Sequence, residues 1–526
     1  MTIFRRFFGL FKQKNKLQTT DWLFIAAGLT VFLIITLWTI TKSSIWFDEA
    51  FGAYLIRFNF WDIARYTAAD VHPPLYYWLL KLWSMGFGNT ELALRSMSVF
   101  FGGVSITFGY LLIHRLFNKK AARISLIFMA LAPMFVRYSQ EMRMYTLVTA
   151  IALAATYVLT YAINTKKKMP WIVYGVLVGV GMWVHYFSAI VWIAHWVWRA
   201  DIIRRSAKKG KFIKTFFSKQ WVMAHVIAIA LFIPWLPFFA NQMFTVQAFG
   251  FWIPAVTPDT LVNFISNVIY YQDSGNVTGW LSATFLIVFV ALIMLSIRVY
   301  KSLNDADRRS YRLIIVLAFV PVLILFFASM PPLRSSFVDR YLVPSTLVIS
   351  LFIGVTLAYS TKFIKSKLAI IVAIVVMTGI MTVGVSNVWY LGNYSKTSNA
   401  SNNARQIVEA IVAKSGDSQP IIADSPWLYY EAAFYSTDKH PVYFVDANTQ
   451  YLYGSLDMLK YNDYHKIKDI NVFTSQNPIV WYVGLPRGAD FKAPYSNWKP
   501  IQEVTVNDSI NNKPAYKAIQ YQIIQP

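Results

Sequence analysis

Two carboxylates stand side by side just after the first long apolar segment of the chain. The stretch Ser43 to Gly52 reads SSIWFDEAFG, which places Asp48 and Glu49 among aromatic and apolar residues. Acids near a hydrocarbon boundary are costly and usually functional, and a carboxylate within reach of a hydroxyl can accept its proton. The structural alternative is a solvated pair in an ordinary loop.

A second pair of polar residues follows in the motif DVHPPLYYWLLKLW. Asp70 and His72 precede Pro73 and Pro74, which favour the start of a helix. The preceding stretch GAYLIRFNFWDIARY mixes charges with apolar residues, as a helix in the membrane interface does. We therefore predict that Asp70 and His72 lie in a turn between two interfacial helices. Capping of a helix by Asp70, with His72 in a polar niche, is the structural alternative.

Ionisable residues also crowd the segment APMFVRYSQEMRMYTL. Arg137 and Glu141 are four residues apart, as are Glu141 and Tyr145, so they can share one helix face, whereas Arg143 points elsewhere. A structural salt bridge between Arg137 and Glu141 is the alternative to a functional role. It does not explain why so many ions gather in one short connection.

Two more connections carry polar residues. WVHYFSAI contains His185, and SSFVDRYLVP contains Asp339, Arg340 and Tyr341. The structural alternatives are a packed histidine and an arginine and tyrosine that anchor a helix end at the interface.

The composition places these residues in a membrane protein. Hydrophobic residues make up 56% of the 526 residues and charged residues only 14%, far outside the range of soluble domains. The first apolar run, Asp21 to Ile40, follows a basic N-terminus and is long enough to span a bilayer, so it is interpreted as a signal anchor. The chain has no cysteine, which excludes disulfides and thiolate metal sites.

Apolar windows of about 20 residues predict about eleven membrane spans. They cover approximately residues 22–40, 92–114, 121–138, 142–163, 171–185, 187–203, 221–240, 279–299, 313–330, 341–360 and 368–390. Lys and Arg concentrate in every second connection, starting at the N-terminus, so the N-terminus is predicted to be cytoplasmic and the C-terminus extracytoplasmic. This topology explains the net charge of +24, with membrane lipid and not nucleic acid as the partner.

The predicted topology sorts the acids by side. Those on the outer side are Asp48, Glu49, Asp62, Asp70, Glu91, Glu141, Asp259, Asp273 and Asp339. Chemistry is therefore expected outside. Asp305 and Asp307, in NDADRRS, have the D-x-D spacing with which sugar-nucleotide enzymes hold a metal and a diphosphate. They fall on the cytoplasmic side, where a solvated loop is the favoured interpretation.

The composition changes to that of a water-soluble domain from about Gly392. NNARQIVEAIVAKSG has helical periodicity, and PIIADS, HPVYFVD and NPIVWYVGLP are typical of short buried strands. We predict a mostly α-helical membrane bundle over residues 1–390 and a small extracytoplasmic α/β domain over residues 391–526, in which the pattern suggests a parallel sheet.

Together, WFDEAFGAY, DVHPPLYYWLLKLW, RYSQEMRMYTL, VHYFSA and DRYLVP resemble the GT-C class of membrane glycosyltransferases. More narrowly, residues 20–390 resemble the bacterial family related to protein O-mannosyltransferases and to the aminoarabinose transferase of lipid A. The resemblance implies transfer of a sugar from a polyprenyl-phosphate donor to an acceptor hydroxyl on the outer face, with inversion. The acceptor is expected to be a glycan, a lipid or a protein.

The resemblance also implies roles for the acids of the first outer loop. Asp48 is expected to be the general base, and Glu49 to orient the acceptor or Arg143. Asp70 and His72 occupy the position where some relatives hold a metal ligand, so a divalent metal ion is the one cofactor considered. Two such ligands are too few to name the ion.

The donor phosphate requires cations, because its departure develops negative charge. Arg143 and Arg340 are the expected phosphate contacts, since guanidinium groups match phosphate oxygens. Glu141 and Tyr341 belong to the same expected donor site, and His185 to the surrounding pocket.

Two functions of other classes stay open from the sequence. A transporter or flippase of lipid-linked sugars would place ionisable residues near mid-membrane and use broken helices. An assembly or anchoring protein would carry its function in the outer domain and would tolerate alanine at Asp48. The clustering of acids at one interface favours a transferase of the plasma membrane.

Overall fold

The computed structural model describes residues 17–206, 211–249, 253–271, 279–390, 403–416, 418–445, 465–486, 493–507 and 512–524. Asp273 and Gly392, which were named above, and the basic N-terminus up to residue 16 lie outside these ranges. The helices are α1 (Thr19–Leu37), α2 (Phe47–Leu55), α3 (Phe60–Ala69), α4 (Leu75–Phe87), α5 (Glu91–Leu116), α6 (Lys119–Ala130), α7 (Pro133–Ser139), α8 (Tyr145–Ala162), α9 (Met169–Val184), α10 (Ser188–Ser206), α11 (Phe212–Phe216), α12 (Lys219–Phe232), α13 (Leu236–Phe249), α14 (Pro258–Ile269), α15 (Gly279–Ser302), α16 (Asp305–Ala328), α17 (Val343–Ser360), α18 (Lys367–Tyr390), α19 (Ala404–Lys414), α20 (Pro426–Tyr435) and α21 (Ile470–Gln476).

The chain divides into two compact units. The first contains Met1–Trp38 and Ser96–Val388, and the second contains Thr39–Arg95 and Trp389–Pro526. The segment with the acidic pair therefore belongs to the same unit as the C-terminal region. The predicted division into domains at residue 390 was drawn from composition alone and stays a prediction.

The eleven predicted apolar segments are all mainly helical, but 121–138 is divided between α6 and α7, and 221–240 between α12, a 3-10 turn (Ile233–Trp235) and α13. Within the described residues, seven helical segments are long and apolar enough to cross a bilayer, or eight if the bent pair α6 and α7 forms one span. The seven are Thr19–Leu37, Glu91–Leu116, Tyr145–Ala162, Lys219–Ala248, Asp305–Ala328, Asp339–Ser360 and Lys367–Tyr390. A membrane bundle is thus confirmed, whereas the number of eleven spans stays a prediction.

Helices α6 and α7 replace the single span predicted over residues 121–138, and they meet at a bend of 60°. Ala132 has an extended backbone and Pro133 occupies the first turn of α7. Proline lacks the N–H that would continue the preceding helix and disfavours helical geometry in the residue before it, so the chain restarts there.

The centre of the first unit is formed by α8 and α17, in which all residues are buried. Helix α6 packs closely on α17 because Gly354 leaves room for it: a Cβ at this position would collide with Ser125. Helices α12 and α18 instead expose apolar side chains such as Val226, Ile229, Val375 and Val376, as lipid-facing helices do.

The second unit contains a six-stranded mixed sheet. Its strands are β1 (Ile421–Ala423), β2 (Val442–Val445), β3 (Lys466–Ile467), β4 (Ile479–Gly484), β5 (Trp498–Asn507) and β6 (Pro514–Ile523). Their order is β3-β2-β1-β4-β6-β5; the first four are parallel, and β6 runs antiparallel to both of its neighbours. The α/β prediction is confirmed for α19, β1, β2 and β4, and the antiparallel β5–β6 ribbon adds to it.

Candidate active site

The acidic pair lies in the first turn of α2. Trp46 precedes the helix with extended backbone, and its N–H donates a hydrogen bond to Glu49 Oε2 at 3.4 Å, so Glu49 caps its own helix. Successive helical residues point about 100° apart. Glu49 is accordingly fully buried, whereas Asp48 is half-buried.

Arg95 binds Glu49 and uses all five of its N–H groups. Nε and Nη2 donate to the two oxygens of Glu49 at 2.8 and 2.6 Å. The other three N–H groups donate to the carbonyls of Ile40, Ser43 and Ser44 at 2.6, 2.9 and 3.0 Å.

Both charged side chains of this pair are shielded from solvent. A buried ion pair is tolerated when further hydrogen bonds satisfy its polar atoms, and removal of either partner is then strongly destabilising. The Arg95–Glu49 pair therefore fixes the loop before α2 together with the first turn of the helix.

Asp70 and His72 lie together in the turn between α3 and α4, as predicted. Asp70 ends α3, Pro74 precedes α4, and the Asp70 carboxylate contacts His72 Nδ1 at 3.0 Å. Over the ranges given above, the structure contains no group of three or more His, Cys, Asp or Glu residues that could hold a metal ion. Binding of a metal ion at Asp70 and His72 stays a prediction.

Helix α20 of the C-terminal region packs on α2 through aromatic rings. Phe47 lies 6.3 Å from Trp427 and 6.0 Å from Tyr430, measured between ring centroids. Tyr54, at the other end of α2, shares a 3.1 Å hydroxyl hydrogen bond with Tyr429. The Phe47–Trp427 pair is edge-to-face, and ring pairs with this geometry stabilise a contact beyond the area that they bury.

In the first unit, Arg137 and Glu141 form the predicted ion pair, and both side chains are buried. This is the structural alternative considered from the sequence. Arg143 is also buried, in the turn between α7 and α8, and its carbonyl accepts a hydrogen bond from Ser98 Oγ at 3.1 Å. Two buried guanidinium groups thus lie near each other in sequence, Arg137 in α7 and Arg143 in the turn after it.

His185 and Tyr341, which are distant in sequence, meet in a cluster of rings. Their centroids lie 5.2 Å apart, Phe187 stacks on Tyr341 at 4.3 Å, and Tyr145 lies 6.1 Å from His185. The backbone N–H of Phe187 donates to His185 Nδ1 at 3.2 Å. A packed histidine was the structural alternative for His185, and the ring contacts agree with it.

Asp339 and Arg340 begin the short 3-10 turn that leads into α17. Asp339 accepts a hydrogen bond from Asn267 Nδ2 at 2.7 Å, and Arg340 is half-buried. Thus Asp48, Glu49, Asp70 and His72 belong to the second unit, and Glu141, Arg143, His185, Arg340 and Tyr341 to the first.

The D-x-D pattern in NDADRRS starts a helix. Asn304 caps α16 by accepting the N–H of Asp307 at 2.8 Å and donating to its carboxylate at 3.0 Å. Asp305 is 99% exposed and contacts only the nearby Arg308 among the ion pairs of the described chain, at 3.3 Å. The exposure of Asp305 agrees with the solvated interpretation, whereas Asp307 is half-buried and accepts a hydrogen bond from the Tyr359 hydroxyl at 3.4 Å.

Arg95 and Glu431, a buried acid on α20, were not singled out from the sequence. Both could have been noticed in the sequence. Arg95 is an arginine near the start of the apolar segment 92–114, and Glu431 is the one acid in the apolar run WLYYEAAFY. A charged residue in such surroundings requires a partner. The sequence does not identify that partner, because Glu49 lies 46 residues from Arg95.

Comparisons with known proteins agree with this architecture. Residues 71–238 match a family model described as dolichyl-phosphate-mannose-protein mannosyltransferase. An undecaprenyl phosphate-alpha-4-amino-4-deoxy-L-arabinose arabinosyl transferase of Pseudomonas savastanoi pv. phaseolicola is 29% identical over 174 residues. These residues are 31% of this chain and 30% of that relative, so the match spans less than a third of the relative's length.

The whole fold is similar to that of ArnT from Cupriavidus metallidurans. The crystal structure in the apo state gives a TM-score of 0.61 at 13% identity and covers 95% of this chain and 98% of ArnT. The structure of ArnT bound to undecaprenyl phosphate gives 0.58 at 14% identity, covering 96% and 98%. The predicted resemblance to GT-C class membrane glycosyltransferases is confirmed, and the chain has an ArnT-like fold.

Proposed function

We propose that this protein is a plasma-membrane glycosyltransferase that moves a sugar from a polyprenyl-phosphate donor to an acceptor hydroxyl on the outer face. Its N-terminus is cytoplasmic and its C-terminal region extracytoplasmic in this proposal. The ArnT-like fold and the matched transferase sequences support it. The observation that carries it is the fixed first turn of α2, where the buried Glu49–Arg95 pair holds the residue next to Asp48.

Asp48 is the proposed general base. Its carboxylate accepts the proton of the acceptor hydroxyl while that oxygen forms a bond to the anomeric carbon. The bond between the anomeric carbon and the phosphate oxygen breaks, which releases the polyprenyl phosphate. Attack from the face opposite the phosphate inverts the anomeric centre, as in an inverting glycosidase.

Glu49 is proposed to position Asp48 and not to touch the acceptor. Its two oxygens are occupied by Arg95 and its side chain has no exposed surface. The pair gives the neighbouring base a fixed geometry, and a displacement of about 1 Å can cost up to 10²-fold in rate.

Arg143 and Arg340 are the proposed contacts of the donor phosphate, with Tyr341 and His185 shaping the pocket beside them. Guanidinium groups stabilise the charge that develops on a departing phosphate. Glu141 is proposed to act from a distance, because its ion pair with Arg137 fixes the turn that carries Arg143.

The first test replaces Asp48 by Asn in the full-length protein reconstituted in lipid. Undecaprenyl phosphate carrying a panel of radiolabelled sugars serves as donor, and glycan, lipid and peptide fractions serve as acceptors. We expect a loss of about 10²- to 10⁴-fold in transfer, the range for removal of a general base. The matched control is Asp62→Asn, an acid in the first turn of α3, which should keep wild-type transfer.

Equal transfer by Asp48→Asn and the wild type would show that Asp48 is not the base. Movement of the labelled lipid across the bilayer without transfer would instead identify a flippase. The anomeric configuration of the product, determined by NMR, tests inversion separately. Mass spectrometry of envelope glycans with and without the protein would identify the sugar and acceptor together.

The second test concerns the phosphate site. Arg143→Gln and Arg340→Gln should each raise KM for the donor by roughly 10- to 100-fold, the factor for losing a hydrogen bond to a charged group. Arg334→Gln, an exposed arginine in the same unit, should leave KM unchanged. Wild-type donor KM in both variants would exclude these two residues from phosphate binding.

A further inference from the structure

A tyrosine hydroxyl of the C-terminal region binds the backbone of the loop before α2. Tyr435 is the last residue of α20, and its hydroxyl oxygen accepts the backbone N–H of Ile45 at 2.7 Å. Ile45 is fully buried and lies three residues before Asp48. A buried backbone N–H requires an acceptor, and this one is supplied by a residue 390 positions along the chain.

The same hydroxyl also binds the first residue of α5. Glu91 begins that helix, and its Oε1 accepts a hydrogen bond from the Tyr435 hydroxyl. A phenol has one proton to donate and lone pairs with which to accept. Tyr435 therefore accepts from Ile45 and donates to Glu91, and a single oxygen atom joins the loop before α2, the start of α5 and the end of α20.

Arg405 of α19 holds the Glu91 carboxylate in place. Its Nη2 donates to both oxygens of Glu91, at 2.8 and 2.6 Å, and its guanidinium carbon lies 5.8 Å from the centre of the Tyr435 ring. The Glu91 side chain is only 10% exposed. Hydrogen bonds between charged groups are about twice as strong as neutral ones, so the acceptor of the Tyr435 proton is itself fixed.

Ser44, the residue before Ile45, is bound by the same two regions. Its Oγ accepts the backbone N–H of Arg405 and donates to Gln406 Oε1, both at 3.1 Å. Its carbonyl oxygen accepts Nη2 of Arg95 at 3.0 Å. The loop is thus bound by α5 through Arg95 and by the C-terminal helices α19 and α20.

These contacts bear on Asp48 through the chain itself. Only Trp46 and Phe47 separate Ile45 from Asp48, and the N–H of Trp46 is already bound to Glu49 in the first turn of α2. A displacement of Ile45 therefore reaches the first turn of α2 within two residues.

We propose that Tyr435 is a positioning residue for the transfer reaction: its hydroxyl fixes Ile45, and thereby the first turn of α2 that carries Asp48. The C-terminal region accordingly takes part in catalysis through a backbone contact. This role requires no contact of Tyr435 with donor or acceptor. It rests on the proposed function of Asp48.

The experiment compares the full-length protein with Tyr435→Phe, which removes one oxygen atom and retains the ring. Hydrogen–deuterium exchange of residues 44–50 is measured together with transfer kinetics. The amide of Ile45 should exchange roughly fivefold faster, as expected for one lost hydrogen bond. Displacement of Asp48 should lower kcat by up to about 100-fold. KM for the donor should not change, because its proposed phosphate contacts lie on other elements.

The matched control is Tyr429→Phe in the same helix. It removes the 3.1 Å hydroxyl hydrogen bond with Tyr54, near the other end of α2. Both variants lose a hydroxyl and should be destabilised to a similar extent in detergent. Only Tyr435→Phe should change kcat and the exchange of Ile45. Glu91→Gln keeps an oxygen that can accept from Tyr435, so its kcat should lie between those of Tyr435→Phe and the wild type.

Wild-type exchange of Ile45 in Tyr435→Phe overturns the positioning role, whether or not the wild type transfers sugar. Faster exchange with wild-type kcat also overturns it, because the hydrogen bond then contributes to structure alone. Equal losses of kcat in Tyr429→Phe and Tyr435→Phe overturn it as well, since general destabilisation explains both. Faster exchange of Ile45 combined with no transfer by the wild type overturns the proposed function alone.

Discussion

Helices α2 and α16 each begin with two acids, Asp48 with Glu49 and Asp305 with Asp307. In both helices the negative charge lies in the first turn, where the helix dipole favours it. Glu49 is nevertheless fully buried against a cation 46 residues away, whereas Asp305 is 99% exposed and contacts a cation three residues on.

Asp305 interacts only within its own helix, whereas the burial of Glu49 depends on contacts between distant parts of the fold. An exposed first-turn acid needs no explanation beyond its own helix, and its ion pair is worth at most about 1 kcal/mol. Burial of a charged pair costs free energy that the fold must offset with hydrogen bonds. The buried Glu49–Arg95 pair therefore indicates that the fold fixes the position of α2.

The largest expected effect is at Arg95. Arg95→Met leaves Glu49 buried without a cation and removes the donors to Ile40, Ser43 and Ser44. We expect the free energy of unfolding to fall by about 3 to 5 kcal/mol, the cost of breaking a buried ion pair. Denaturation of the protein in detergent measures it.

The control is the double variant Arg95→Met with Glu49→Leu. Apolar replacement of a whole buried pair is often tolerated, so this variant should recover much of the stability lost by Arg95→Met. A loss below about 1 kcal/mol in the single variant would place this pair in the same class as an exposed salt bridge.

The sequence identified the acids of α2 but not their environment. Asp48 and Glu49 are visible as an adjacent pair, and the 100° step of a helix implies that they face different surroundings. Which of them is buried depends on Arg95, whose position is set by packing of α5. Hydrophobic periodicity locates α5 but does not report which loop its first turn binds.

A smaller effect is expected at Arg405, whose side chain is 26% exposed. Arg405→Met removes Nη2, which donates to both oxygens of Glu91 and to the carbonyls of Thr41 and Ser43. We expect a loss of about 1.5 to 3 kcal/mol, the range for hydrogen bonds of charged groups. Exchange of amides 41–46 should rise in parallel. If the free energy of unfolding fell as much as in Arg95→Met, full burial of an ion pair would have no larger effect on stability than partial burial.

The C-terminal region shows the same limit of prediction. Short apolar runs indicated β1, β2 and β4, and helical periodicity indicated α19. The strands β5 and β6 carry many polar residues, as in WKPIQEVTVN, and their pairing depends on contacts with β4 that the local pattern does not encode. For the same reason, the contact between α20 and α2 cannot be predicted from the sequence of either helix alone.

At the start of α16, the larger effect is expected at Asn304, which precedes the two acids. Its side chain caps α16 by accepting the N–H of Asp307. Asn304→Ala should lower the free energy of unfolding by about 1 kcal/mol, the usual loss for a helix cap. Asn304→Ser, which retains a capping oxygen, should restore most of it. Equal stability of Asn304→Ala and the wild type would show that the cap contributes nothing to α16.

The smallest effect is expected for Asp305→Asn. Its carboxylate is exposed and contacts only Arg308 among the described ion pairs, so the free energy of unfolding should change by less than about 0.5 kcal/mol. Transfer should equal that of the wild type, because Asp305 has no role in the proposed reaction. A loss of transfer with unchanged stability would instead assign the D-x-D pattern to catalysis. The comparison between α2 and α16 would then no longer separate a functional acid pair from a helix cap.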